Sequence, residues 1–344
     1  MNFQFTPATS SGTSLGMMED EFTVLRKKEE EIYGCADYLA PEYQHKRLGA
    51  KEAQDPVFDF SPGVSSADVL DDLLRTRICE WCYEVVDHFE FSREVVDVCM
   101  SLLDRYLSKR KVTKKVLQLA AMASLNLALK IYEPGSFKVS TLLVLSSGRV
   151  TLEHMIAMEQ SILQALEWHV SPPTIMSAIR YYLAMLNKDV DSKTRNDVEE
   201  LAIYLSEVSV CDYSFVTKKP TSIALACILS SFTVVFREQT LCMSDAYQMI
   251  DTKINCSIEE VHDCRIRLLD LYHQHCNYHG QKRARSPDTL VPASGVHIGD
   301  DVARHTEFND GTRTNGTNDN NSSQFELRPV QIFSCYINVE LMDE

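Results

Sequence analysis

Thr113–Lys130 reads TKKVLQLAAMASLNLALK, and its apolar residues keep to no single stripe. Val116, Leu117, Leu119, Met122, Leu125, Leu127 and Leu129 point all round a helical wheel, with Ala120, Ala121, Ala123 and Ala128 between them. A helix apolar on every side leaves no face for water and must be enclosed by protein. The alanines let neighbouring helices approach closely. Thr113 stands at the N-cap position, and Pro134-Gly135 ends the helix. Lys130 places a cation in the last turn, where the helix macrodipole favours it. This stretch predicts the central rod of an all-α domain.

The composition agrees. The chain has 344 residues, a soft prior for two domains plus tails, with 44% hydrophobic and 24% charged residues and only 12 glycines. A net charge of −15 disfavours non-specific binding to nucleic acid or an anionic membrane. No apolar run reaches the roughly 18–20 residues of a membrane span, and Met1–Gly16 lacks the pattern of a signal peptide. The eleven cysteines, an odd number, fall mostly in apolar helical patterns, as Cys79, Cys82, Cys99 and Cys227 do. They read as reduced core residues of an intracellular protein.

Outward from the hub, the pattern is helical from about Ala67. Val69, Leu70, Leu73, Leu74, Ile78, Trp81 and Val85 predict a first helix, and Ser92 caps a second whose stripe runs from Val95 to Tyr106. A short helix over Val139–Ser146 follows the hub, then one after Thr151 that buries Leu152, Met155, Ile156, Ile162, Leu163 and Leu166. Ser171 and Pro172 open a second block, with helices near 174–187, 195–213, 219–236, 242–251 and 257–275. The last begins with a capping box, Ser257 and Glu260. Thr221–Phe232 is again apolar nearly all round, at about the same depth in its block as the hub helix, so one five-helix unit is read twice. The domains expected are an N-terminal helix and extended arm (1–65), two repeats (66–169 and 170–278) and a tail (279–344), disordered by composition. Within the arm, Phe22, Leu25 and Ile32 form the apolar edge of a charged helix over Glu19–Tyr33.

Several segments resemble a cyclin box in order and spacing: LRTRICEWCYEVVDHF (Leu74–Phe89), MSLLDRYLS (Met100–Ser108), the hub helix, and MEQSILQALEW (Met158–Trp168). YLSEVSVCDYSFV (Tyr204–Val216), with Pro220 and its apolar helix, resembles the second cyclin repeat. VLRKKEEEIY (Val24–Tyr33) is similar to the N-terminal helix of D-type cyclins. The resemblance implies tandem five-helix cyclin boxes and a buried ion pair between Arg75 and Asp104. It implies that Lys130 and Glu159, with apolar Leu127 and Ile131 around them, grip the backbone beside the regulatory helix of a cyclin-dependent kinase. Most cyclins carry two acids shortly after that Lys, whereas Ile131-Tyr132-Glu133 supplies one. The resemblance further implies a groove for docking motifs of substrates or inhibitors, lined by Leu74, Ile78, Trp81 and Gln118 with Glu84 as an acidic rim. Arg77 occupies a groove position that is usually apolar.

Taken singly, Lys130 is a dipole-matched surface cation and Glu159 an ordinary helix-face acid; only their joint spacing suggests a clamp. Cys79-x-x-Cys82 has no second pair to complete a metal site. His273, His275, Cys276 and His279 crowd one helix end without a partner cluster, and Glu259-x-x-His262 is half of a di-iron motif. Asp71-Asp72-Leu73-Leu74-Arg75 ends in Arg where a DDxxD motif needs Asp, and no Walker loop, G-x-G-x-x-G, H-E-x-x-H or G-x-S-x-G is present. The resemblance implies a regulatory subunit and not an enzyme, and no motif in the chain calls for a cofactor or a metal. Its expected partner is a cyclin-dependent kinase catalytic subunit at entry into DNA replication, with no nucleic acid or membrane partner, in nucleus and cytoplasm. Lys282–Arg285 (KRAR), beside Ser286-Pro287, reads as a nuclear-import signal adjoining a phosphosite. The alternative is a DNA-binding transcription factor of the TFIIB type, which shares the fold but needs a basic surface.

Overall fold

In the computed structural model the described residues are 14–41, 70–135, 137–146, 149–185, 192–235 and 257–285. Among them are ten α-helices, one 3-10 turn (Tyr213–Phe215) and no strand. The helices are α1 (Ser14–Glu31), α2 (Asp72–His88), α3 (Glu94–Lys109), α4 (Lys114–Tyr132), α5 (Val139–Leu145), α6 (Leu152–Ala165), α7 (Ile175–Met185), α8 (Ser192–Cys211), α9 (Pro220–Val235) and α10 (Ile258–Arg285).

The hub helix is α4. From Val116 to Leu129 only Gln118 is less than fully buried, because α2, α3, α5 and α6 all pack against it. Ala120, Ala123 and Ala128 are wholly enclosed, so α4 has no room for longer side chains on those faces. In the second repeat α9 has the same part: Thr221–Phe232 are buried, with α7 and α8 against them. The helix expected over 242–251 lies outside the described residues, as do most of the extended arm and residues 286–344.

The described residues up to Tyr272 belong to one compact unit, and residues 273–285 to another. In that second unit the described residues, 273–285, are helix, so the basic run Lys282–Arg285 ends α10 and does not begin an unstructured tail.

Several sequence expectations change at helix ends and on faces. Leu73, Leu152 and Ile156 are 57%, 42% and 47% exposed, although their spacing assigned them to the core. Periodicity finds an apolar stripe but does not say what covers its edge. Ser92 gives only its carbonyl, to the Val95 N–H, and the Thr113 hydroxyl is buried with no hydrogen-bond partner. Asp71 caps α2 through Leu74 N–H (2.7 Å), and Thr151 with His154 forms a capping box on α6. Helix α7 starts three residues later than Pro172 suggested. Thr174 accepts the Ser177 N–H, and the Asp97 carboxylate of α3 accepts that of Ile175 (2.7 Å). Ser257 does cap Glu260 N–H, but the Glu260 carboxylate turns to Ser222 and the Lys219 N–H instead of closing the box.

Helix α1 docks on the second repeat. Phe22 stacks on Tyr181 of α7 (centroids 4.2 Å) and meets Tyr182 edge-on (5.1 Å). The buried Glu29 carboxylate accepts both the N–H and the hydroxyl of Thr221, capping α9 from another part of the chain. Ile32, expected on the apolar edge, is exposed.

Candidate functional site

Lys130 and Glu159 meet across α4 and α6, with Lys130 Nζ 2.8 and 2.7 Å from the two carboxylate oxygens. The pair is asymmetric: the Lys130 side chain is 55% exposed and that of Glu159 13%. Asn126, buried one turn before Lys130, donates its amide N–H to Glu159 Oε1. Glu159 is therefore held from two sides, and the ammonium stands out at the surface with donor capacity left over. Asn126 was missed from sequence, although a carboxamide one turn from Lys130 in an otherwise apolar helix was its signal.

Five of the exposed apolar residues of the first repeat lie on the elements around this pair. Ile156 is one turn before Glu159 on α6, and Leu152 one turn further back on the same face. Ile131 follows Lys130, and Val144 and Leu145 end α5, which packs against both α4 and α6. Their exposures run from 36% for Ile131 to 77% for Val144, whereas Leu127 is only 7% exposed and belongs to the core. The result is a fixed charge pair with oily residues around it, an arrangement more typical of an interface than of a solvated surface.

Arg75 and Asp104 form a buried bidentate pair at the seam between the repeats, Nε to Oδ1 2.9 Å and Nη2 to Oδ2 2.7 Å. Arg75 Nη1 also donates to the Val210 and Cys211 carbonyls at the end of α8 (2.9 and 3.3 Å). Tyr38 donates its hydroxyl to Asp104 Oδ1 (2.8 Å), and burial with the adjoining carboxylate pushes that phenol well up. A buried ion pair offsets its desolvation only when the remaining donors and acceptors are satisfied, and here they are. A second bridge crosses the same seam: Arg93 lies over the Tyr83 ring (4.5 Å) and meets Asp87 and, on α8, Glu207.

Of the groove residues, Ile78 is buried, while Leu74, Trp81 and Gln118 are half-buried and Glu84 and Arg77 exposed. Glu80, not singled out from sequence, is one turn from Glu84; burial and that neighbour raise its pKa, and Arg77 opposes the rise. Burial raises Glu84 as well. The positive charge of Arg77 thus faces an acid on its own helix.

Among the described residues no cluster of three or more His, Cys, Asp or Glu is arranged to hold a metal ion. Cys79 and Cys82 do not face each other: Cys79 Sγ is 3.4 Å from that of Cys211, and Cys82 Sγ is 3.7 Å from that of Cys99. No described helix is long and apolar enough to cross a membrane.

Two tandem helical repeats built around α4 and α9 define a cyclin-fold protein. The model of the cyclin N-terminal domain matches residues 50–171, and that of the cyclin C-terminal domain residues 173–287. The chain belongs to the cyclin family. It is 27% identical over 240 residues to Cyclin-A3-3 of Arabidopsis thaliana, covering 69% of this chain and 71% of that protein. With Cyclin-B2-2 of the same plant it shares 30% over 226 residues, 65% of this chain and 45% of the relative. With Cyclin-B1-1 of Oryza sativa subsp. japonica the figures are 25%, 57% and 42%. The chain thus spans a little under half the length of the last two of these relatives. Among solved structures, a viral cyclin from herpesvirus saimiri matches with a TM-score of 0.45 and 23% identity, over 59% of this chain and 89% of that one.

Proposed function

We propose that this protein is the regulatory subunit of a cyclin-dependent Ser/Thr protein kinase, not itself an enzyme. The observation that carries the reading is the Lys130–Glu159 pair, fixed by Asn126 and surrounded by exposed Ile131, Val144, Leu145, Leu152 and Ile156. The free donors of Lys130 and the outer lone pairs of Glu159 suit backbone carbonyls and N–H groups beside the kinase's regulatory helix. The apolar ring suits the helix itself. Seating that helix in its inward position completes the kinase's Lys–Glu ion pair and metal geometry, on which phosphoryl transfer depends. Activation follows because the cyclin binds the inward arrangement more tightly than the outward one.

The groove along α2 is the docking place for substrates or inhibitors of the partner kinase. Leu74 and Trp81 offer its apolar floor, and Glu80 with Glu84 its acids for a basic residue. The likeness of Val24–Tyr33 to D-type cyclins supports a role at G1/S, and Lys282, Arg283 and Arg285 support nuclear entry; the relatives named above carry A- and B-type names. Replacing those three basic residues by Ala should abolish nuclear accumulation of a tagged chain.

The test of the main reading is a pull-down from dividing cells with Lys130→Ala and Glu159→Ala, scored for kinase recovery and histone phosphorylation. Both should fall together, at an unchanged melting temperature for Lys130→Ala and at a lower one for Glu159→Ala, which leaves the buried Asn126 amide without its acceptor. Undiminished recovery of kinase sinks the assignment, and retention on duplex DNA with no kinase favours the TFIIB-type alternative.

A further inference from the structure

Two thiols approach each other across the seam between the repeats. Cys79 of α2 is wholly buried and Cys211, the last residue of α8, is partly buried, and their sulfurs are 3.4 Å apart. A disulfide needs about 2.05 Å, so the two sulfurs must draw closer for the bond to form. The neighbouring contacts hold the two sulfurs in register. Arg75 Nη1 and Thr76 Oγ1, one helical turn before Cys79, donate to the Cys211 carbonyl at 3.3 and 3.2 Å. The α8 terminus is thus tethered to α2 in either redox state.

We propose that Cys79 and Cys211 form a reversible disulfide that staples the first repeat to the second under oxidising conditions. A hydroperoxide reaches Cys211, the less buried of the two, first. Its O–O bond breaks, one oxygen joins sulfur to give the sulfenic acid, and the other leaves as water or alcohol. The Cys79 sulfur then attacks the Cys211 sulfur: the S–S bond forms, the S–O bond breaks, and the departing hydroxide takes the Cys79 proton as water. Two thiols are oxidised by two electrons and one hydroperoxide is reduced. Burial, with Cys211 beside it, holds the Cys79 thiol protonated until it acts, so Cys79 is the resolving and not the attacked residue. A built-in comparison is Cys82–Cys99, 3.7 Å apart but buried on both sides, where no oxidant enters.

The test treats the reduced full-length chain with hydrogen peroxide, blocks remaining thiols under denaturing conditions, and maps a non-reducing digest by mass spectrometry. A peptide linking Cys79 to Cys211, lighter by two hydrogens and released by dithiothreitol, is expected, with Cys82 and Cys99 alkylated. The linked form should melt higher than the reduced form, and dithiothreitol should reverse the shift. Cys211→Ser should abolish the link and the shift and leave Cys79 a thiol. Cys79→Ser should leave a dimedone-reactive sulfenic acid on Cys211. Because a change at buried Cys79 can impair folding, Cys211→Ser on its own decides the matter. Accumulation of sulfinic acid on Cys211 with Cys79 still alkylated overturns the proposal, as does a link to Cys82 in place of Cys211.

Discussion

At the residue scale the seam is the most costly place to intervene. Asp104 accepts two hydrogen bonds from Arg75 and one from Tyr38 with almost no water around it. Arg75→Met removes the cation and leaves a buried carboxylate, a loss of about 3–5 kcal/mol. Urea unfolding of the variant should show it as a lower midpoint with an unchanged slope. Asp97 makes the opposite kind of demand. Burial raises its carboxyl to about 7, despite the Ile175 N–H that it accepts. Between the ordinary carboxylate pKa and 7 the folded chain keeps a proton that the unfolded chain has lost. Its contribution to stability is therefore full at low pH and is lost as pH rises through 7. Asp97→Asn keeps an oxygen for Ile175 and should flatten that part of the stability–pH curve. Thermal melts from pH 4 to pH 8 on both proteins would decide it.

At the scale of elements, α4 and α9 are set by crowding and α1 by capping. Ala123 is wholly enclosed, so Ala123→Leu forces side chains off their rotamers at about 1–3 kcal/mol, whereas the same change at an exposed helical site should be nearly neutral. Helix α1 is held by Phe22 and by the Glu29 bonds to Thr221. Burial raises the Glu29 pKa in spite of those bonds, so the carboxylate is costly to keep dry yet caps α9. Glu29→Ala should cost about 1–2 kcal/mol, measured as a lower melting temperature of the second repeat.

At the scale of the whole molecule, the clamp can be separated from the fold. Lys130→Ala removes the cation offered to a partner and leaves Glu159 its bond from Asn126. The melting temperature should hold, because the exposed member carries little of the stability, and kinase recovery should fall. Ile156→Ala should weaken the same complex by about 1–2 kcal/mol, roughly 5- to 30-fold in Kd, since its side chain is exposed in the free chain.

Helical class, the hub helix and the doubled unit were legible in the chain alone, because periodicity and local spacing act within a few turns. The pairing of Lys130 with Glu159 was implied only by the resemblance to the cyclin family, since the two lie on separate helices 29 residues apart. Only the tertiary structure decided that Leu152 and Ile156 face outward, that Asn126 steadies Glu159, that Glu29 caps a helix nearly two hundred residues away, and that Cys79 meets Cys211. Each depends on which element lies opposite. A residue's burial and hydrogen-bond partner are properties of the neighbouring surface, and that surface is contributed by a distant part of the chain.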